Sequence, residues 1–181
     1  NSFYINWEEG QKTGFYIDQR DNRELLQRYT KAKTVLNMFC YTGAFSVYAA
    51  KGGADRVISV DSSAEAIQLV NKNLELNQID AKYNEPIREE AISYLNNMPK
   101  DYFDLIILDP PAFAKSIDAR HNAIKGYKRI NSVAIEKVKH NGIIFTFSCS
   151  QAVSPSQFEG AIMSAAIEQG RKIRILHRLT Q

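Results

Sequence analysis

The chain has 181 residues, 44% of them hydrophobic and 24% charged, which suits one domain with a full-sized core. No apolar run approaches the ~18 residues that cross a bilayer, and no basic-then-apolar leader opens the chain. A net charge of +3 is too small to name a partner, and two cysteines, Cys40 and Cys149, exclude a disulfide framework or a CxxC metal site. Reduced thiols in the cytoplasm are the default for such a chain. Its three histidines, His121, His140 and His177, are scattered singly and suggest no metal site.

The chain begins abruptly in strand-like sequence, NSFYINW, as an excised domain would. FYINW (3–7) and GFYID (14–18) read as paired strands, followed by a helix near Asn22 to Tyr29. TVLNMF (34–39) reads as a buried strand. A helix from Thr42 to Lys51 follows, stopped by Gly52-Gly53. RVISVD (56–61) is the next strand. Ser62 and Glu65 form a capping-box pair that opens a helix through Leu76, with Asn77 as the stop. AKYNEP (81–86) is a weak strand and REEAISYLNNM (88–98) a helix with Pro99 beyond it. FDLIILD (103–109) is the strongest strand, halted by Pro110-Pro111. A basic loop leads into a long helix to about His140, ended by Asn141-Gly142. GIIFTF (142–147) is another buried strand, SPSQFEGAIMSAAIEQG (154–170) a helix, and RKIRILHRL (171–179) a last, more exposed strand. Short all-apolar strands alternating with helices predict a doubly wound α/β fold with a mostly parallel sheet and an N-terminal β-hairpin extension. The expected organisation is residues 1–30 as hairpin and helix, packing on the ligand site, ahead of a main domain over residues 31–181.

Charge is unevenly spread. Between Lys115 and Lys139 stand seven basic residues (Lys115, Arg120, Lys125, Lys128, Arg129, Lys137, Lys139) against two acidic ones, Asp118 and Glu136. Arg171, Lys172, Arg174 and Arg178 add a basic tail. Such clustering fits a phosphate-backbone footprint. A charge run is more often just a solvated face.

In open α/β sheets ligands bind beyond the carboxyl ends of the strands. Those ends carry Phe39-Cys40-Tyr41-Thr42-Gly43, Asp61-Ser62, Asp109-Pro110-Pro111 and Ser148-Cys149-Ser150. The first turn, NMFCYTGAF, holds one glycine where a dinucleotide fingerprint needs three, and no triphosphate loop motif occurs. Gly43 lets the backbone pass close to a small ligand. Asp61 can accept hydrogen bonds from both ribose hydroxyls, or it can simply place a charge at a helix N-terminus. With Gly43 one strand away, adenosine binding is the stronger reading. The two prolines after Asp109 fix an extended backbone and remove two amide donors, leaving the carboxyl group and nearby carbonyls aimed at the rim. TFSCSQ (146–151) places a thiol at the polar tip of a buried strand, where a cysteine that only packs has no reason to sit.

The segments GQKTGFYIDQRDNR (10–23), NMFCYTGAFS (37–46), VDSS (60–63), LDPPAFAKS (108–116), GYKRIN (126–131) and TFSCS (146–150) together resemble the catalytic domain of the bacterial large-subunit rRNA cytosine-5 methyltransferase family. That family is a class I, S-adenosylmethionine-dependent group, and the likeness covers nearly the whole chain. It implies a seven-stranded sheet in the order 3-2-1-4-5-7-6 with right-handed crossovers. Ala112 stands between Pro111 and Phe113, which weighs against the adenine-amine type, where the aromatic follows the prolines directly. The resemblance assigns Gln11, Thr13 and Phe15 to a segment closing over the cofactor, with Asp18 and Arg20 in it. Phe39, Thr42 and Gly43 would line the methionine side. Asp61, with Ser62 beside it, would hold the ribose. Glu90, where the family carries aspartate, would approach the adenine, and Asp109 would border the cofactor. Pro110, Pro111, Phe113, Lys115, Tyr127 and Lys128 would face the RNA.

The implied strand order sets Asp109 between the two cysteines. Strands lie ~4.8 Å apart, so Cys40 and Cys149 are about twice that distance from each other, beyond the ~7 Å limit for a disulfide, and both thiols stay free. Cys40 reads as a small buried side chain. Cys149 beside Asp109 reads as a nucleophile beside an acid: thiolate attack on C6 of cytosine turns C5, otherwise a poor nucleophile, into an enamine carbon. A charged Asp109 would oppose the thiolate, and Lys115, Lys128 or the sulfonium would favour it. The target base must be flipped or unstacked. The expected cofactor is therefore S-adenosylmethionine and the expected partner RNA, with no membrane and no metal. The family's PUA domain and one further strand are missing from the sequence, and the sheet edge this leaves invites a second copy as partner. Competing readings are methylation of uracil C5 or another RNA base, and a non-catalytic module that binds RNA or cofactor. A dehydrogenase is more distant, given the missing glycines.

Overall fold

The computed structural model describes residues 1–5, 15–114, 116 and 118–179. Five strands form an all-parallel sheet: β1 (Thr34–Met38), β2 (Arg56–Asp61), β3 (Asn84–Arg88), β4 (Leu105–Leu108) and β5 (Ile143–Thr146), in the order β3-β2-β1-β4-β5. Flanking them are α1 (Arg20–Gln27), α2 (Ala44–Lys51), α3 (Ala64–Leu76), α4 (Ala91–Asn97), α5 (Arg120–Lys137) and α6 (Pro155–Glu168). This is the doubly wound α/β class expected from the sequence. The inner strands read as largely apolar runs because helices cover both faces of a parallel sheet, whereas the edge strand β3 is polar. Val35, Leu36 and Met38 of β1 and all four residues of β4 are fully buried. The chain divides into two compact units, residues 1–91 with 179–181 and residues 92–178, described in turn.

In the first unit, β1 and β2 pair with Met38 opposite Val60, and β2 and β3 with Asp61 opposite Arg88. A buried polar chain crosses it: Asn37 Nδ2 donates to Ser46 Oγ at 2.8 Å, and Ser46 Oγ lies 2.7 Å from Ser59 Oγ. Each hydroxyl thereby satisfies its neighbour where no solvent reaches. The helix α3 starts one residue later than expected. Its N-cap is Ser63, whose hydroxyl accepts from the Ala66 amide, and the Asp61 carboxylate holds the Ser63 amide at 3.0 Å. That aspartate turn displaces the cap from Ser62. The weak strand also shifts. Asp80 Oδ1 caps a 3-10 turn at Ala81–Tyr83, so pairing begins only at Asn84 and consumes Arg88, leaving α4 shorter than the segment 88–98.

The expected N-terminal hairpin needs correction. Residues 6–14 lie outside the described ones. On either side, Phe3–Ile5 is not in a strand and Ile17–Gln19 is a 3-10 turn in which Asp18 Oδ1 accepts from the Gln19 amide. The two segments meet through side chains instead. Phe3 packs on Phe15 with ring centroids 4.9 Å apart, and the Arg23 guanidinium sits 4.8 Å from the Phe15 centroid.

In the second unit β4 and β5 pair with Leu108 opposite Thr146. Ser154 and Gln157 form a full capping box on α6 with Pro155 inside it. The segment expected as a last strand, 171–179, is not in a strand. It is tied down otherwise: Arg171 Nη1 donates to the carbonyls of Ile135 and Val138, at 2.6 Å each, capping the end of α5, and Ile173 packs on Ile135, Ala165 and Ala166. Side-chain anchoring there replaces a ladder.

Gly52, at the end of α2, has no left-handed φ to explain it; space does. A Cβ there would come within 2.5 Å of the Gln27 carbonyl and nearer still to Thr30 Oγ1, where the buried Thr30 closes the end of α1. Gly52→Ala is expected to lower unfolding stability by about 1–3 kcal/mol in a denaturant titration, the usual penalty for overpacking against backbone. An unchanged midpoint would show that the junction yields freely.

Candidate active site

The turn after β1 combines close hydrogen bonding with backbone strain. Phe39 and Tyr41 have φ of 57° and 46°, and Gly43 has 74°. Left-handed non-glycine residues cost on the order of 1–3 kcal/mol each and persist only where the surroundings hold them. Here the Cys40 amide donates to the Val60 carbonyl at 3.1 Å, and the Gly43 amide to the Cys40 carbonyl at 2.7 Å. The Tyr41 amide donates to Asp61 Oδ2 at 3.0 Å, while Asn73 Nδ2 grips the Thr42 carbonyl at 2.8 Å. Asn73 is fully buried, and its Oδ1 accepts from the Tyr4 amide at 2.7 Å, so one amide group fastens both the turn and the N-terminal segment to α3. Nothing in the sequence pattern marks Asn73; an asparagine on the buried face of a helix is the only signal.

Gly43 needs to be glycine twice over, for its φ and because a Cβ would meet both Val70 methyl carbons at 3.1 Å. Phe39 is half-buried and Thr42 buried. The Asp61 carboxylate is preorganised by two amides, Tyr41 on one oxygen and Ser63 on the other. Ser62 is exposed, and its carbonyl accepts from Arg88 Nε at 3.3 Å. Glu90 is exposed in the connection after β3, while the Glu89 amide donates to the Asp61 carbonyl. Tyr16 packs edge-on against Tyr41 at 5.8 Å, which sets residues 15–16 against this turn. Gln11 and Thr13 lie outside the described residues. Asp18 and Arg20 are exposed, and the Arg20 guanidinium turns to Asp21 at 3.0 Å. Cys40 is buried, and burial followed by the nearby Asp61 carboxylate pushes its thiol pKa well above the ordinary value. It packs with Val47, Val70 and Leu74. It is a core residue.

In the second unit, β4 and β5 deliver Asp109 and the segment Ser148–Ser150 from neighbouring parallel strands. Asp109 is half-buried, Pro110 buried and Pro111 exposed. The ladder continues past the strands, with the Phe147 amide donating to the Leu108 carbonyl at 2.9 Å. Phe147 and Ser150 are both buried, whereas Cys149 between them is only partly so, and both cysteines are free. Tyr127, expected to face RNA, is instead wholly buried. Its hydroxyl lies 2.8 Å from Ser150 Oγ and its ring packs on Phe113 and Phe158 at 4.7 and 5.1 Å. Lys128 Nζ reaches Glu168 at 3.5 Å across the helix pair. Lys115 lies outside the described residues. Arg120, Lys125 and Arg129 are exposed on α5. Among the described residues no group of three or more His, Cys, Asp or Glu side chains is placed to hold a metal, and no helix is long and apolar enough to cross a membrane.

Known proteins share this layout. The S-adenosylmethionine-dependent methyltransferase family matches residues 2–179. Ribosomal RNA large subunit methyltransferase I of Aeromonas hydrophila is 42% identical over 179 residues, covering 98% of this chain and 45% of its own length. The protein of that name from Tolumonas auensis is 43% identical over 174 residues, 95% of this chain and 44% of its own. The chain thus spans less than half the length of these curated relatives. Among solved structures, a candidate SAM-dependent methyltransferase from Streptococcus mutans superposes with a TM-score of 0.77 at 31% identity, over 89% of this chain and 42% of that one. A candidate methyltransferase solved in complex with SAH gives a TM-score of 0.76 at 31% identity, over 87% and 42% of the two chains. With a family match that spans almost every residue, this chain belongs to the S-adenosylmethionine-dependent methyltransferases and takes S-adenosylmethionine as its cofactor.

Proposed function

We propose that the chain is the catalytic part of an RNA methyltransferase that modifies C5 of a cytosine in large-subunit rRNA through a covalent Cys149 adduct. The observation that carries this reading is the delivery of Asp109 and a partly exposed Cys149 from the carboxyl ends of neighbouring parallel strands. The curated relatives, named as ribosomal RNA large subunit methyltransferases, supply the substrate class. Exposed Arg120, Lys125 and Arg129 on α5 suit the phosphates that flank a flipped base. Two free thiols suit the reducing compartment where ribosomes work.

The turn after β1 fits the cofactor. Its left-handed Gly43 lets the turn pack tightly on Val70, and the Asp61 carboxylate stands fixed by two amides with lone pairs left for ribose hydroxyls. Phe39, Thr42, Gly43, Asp61 and Glu90 would hold S-adenosylmethionine. Bound there, it supplies the methyl group as a sulfonium, which the activated C5 accepts. The rest falls to side chains. The Cys149 thiolate forms a bond to C6, and the C5=C6 electron pair moves onto C5 while Asp109, in its protonated form, donates a hydrogen bond to N3. After methylation a base takes the C5 proton. The pair returns to C5=C6, the S–C6 bond breaks, and the thiolate is free again.

RNA carrying 5-fluorocytosine has no C5 proton to lose, so intact-protein mass spectrometry is expected to find a protein–RNA adduct mapping to Cys149. Cys149→Ser should remove the adduct and lower turnover by at least about a thousandfold. An adduct at another residue, or none from active protein, would overturn the reading; adduct chemistry on uracil would move it to the uracil C5 class.

Gly43→Ala should weaken S-adenosylmethionine binding by about tenfold or more in calorimetry, because the new Cβ needs a disfavoured φ and a displaced Val70. Unchanged affinity would remove the turn from the cofactor site.

A further inference from the structure

A wholly buried tyrosine could be a phenylalanine if packing were its only task, because its hydroxyl must find a partner or be stranded away from water. The Tyr127 hydroxyl finds Ser150 Oγ at 2.8 Å, and that same oxygen accepts the Ala114 amide at 3.2 Å. One serine oxygen therefore joins three segments: α5, the loop that begins with Asp109, and the loop that carries Cys149. Ser150 is held at its backbone too, its carbonyl accepting from the Val153 amide at 3.0 Å and its own amide directed at Ser148 Oγ at 3.4 Å. On the other side of the thiol, the Phe147 amide is fixed to Leu108. Only Ser148 and Cys149 stand between two anchored residues, and these two are the partly exposed ones.

The aromatic packing serves the same end. Phe113, on the Asp109 loop, and Phe158, on α6, enclose the Tyr127 ring. Gly126 lets α5 lie this close, since a Cβ there would stand 3.0 Å from the Phe113 ring. Held between the Phe113 and Phe158 rings, Tyr127 presents its hydroxyl to Ser150.

We propose that Tyr127, acting through Ser150, is a positioning residue that sets the Cys149 thiol relative to the Asp109 loop for attack on the base. The proposal rests on Cys149 being the nucleophile. Neither Tyr127 nor Ser150 touches substrate; they fix where the sulfur and the acid stand, and a displacement of even 1 Å at such a pair lowers turnover by about a hundredfold.

The test is Tyr127→Phe in the whole protein, with Ser150→Ala as the second variant and the double variant to close the cycle. Expected is a fall in kcat of about tenfold to a hundredfold with KM for S-adenosylmethionine unchanged. The pH profile of Cys149 alkylation by iodoacetamide should change alongside it. The double variant should be no worse than either single one, because both remove the same link. If kcat and the alkylation profile stay at parental values while only the melting temperature falls, Tyr127 is a core aromatic and the proposal fails. A fully additive double variant would sink it equally. If Tyr127→Phe does not fold, Ser150→Ala decides on the same readouts. The alkylation profile is read without RNA, so it separates this idea from the adduct chemistry: no fluorocytosine adduct with a shifted profile would fail the nucleophile and leave the link standing.

Discussion

Parallel pairing makes every strand finish at the same side with its backbone amides already engaged by neighbours. Whatever follows a strand therefore begins as loop, and must find its own partners for N–H and C=O. In the first unit those partners are supplied within two or three residues of each strand end. Asp61 takes the amides of Tyr41 and Ser63, and its carbonyl takes Glu89. In the second unit Leu108 takes Phe147, and Ser150 takes Ala114 and Val153. The loops are thus stitched strand to strand by the groups that parallel geometry leaves over. Rigid loops at strand ends are what a group-transfer site needs, since its reacting atoms must be fixed before they meet.

The stitching is what allows strain. Phe39 and Tyr41 take left-handed backbone angles that unconstrained residues avoid. The Asp61 carboxylate holds one side of that turn, buried Asn73 holds the other, and the Tyr16 ring closes on Tyr41. A carboxylate held by two amides has lost much of its rotational freedom before any ligand arrives. The ribose contact proposed for Asp61 would then cost little further ordering. The same economy applies to Ser150, where a single hydroxyl answers to two loops.

Much of this was legible in the sequence, for identifiable reasons. LIIL is apolar throughout and TVLNM, RVISVD and IIFT mostly so, because both faces of the sheet are covered, so the positions of these four strands follow from hydrophobic runs. The strand ends named the loops. The errors arose where a short polar side chain redirected the backbone: Asp61 moved the cap of α3 from Ser62 to Ser63, and Asp80 put a 3-10 turn ahead of β3. The tail at 171–179 alternates in hydrophobicity like a strand, yet it is Arg171 on the carbonyls of α5 that decides its course. Tyr127 escaped for a different reason. The family resemblance set it against RNA, and only the fold reveals that helical rotation turns it inward while Arg120, Lys125 and Arg129 stay outside.

The two cysteines show how little residue type decides by itself. Cys40 and Cys149 each follow a buried strand by two or three residues, and each belongs to a loop stitched to its neighbour. Cys40 lies among Val47, Val70 and Leu74, where burial and the Asp61 charge both oppose the thiolate. The residues that bracket Ser148 and Cys149 take the burial instead, Phe147 by packing and Ser150 by hydrogen bonding, so the two between them need not be buried. A nucleophile on a loop must be held firmly and yet left reachable. Placing the anchors on nearby residues meets both demands, and in the role proposed for Cys149 it would hand control of the sulfur's position to a tyrosine more than twenty residues away in sequence.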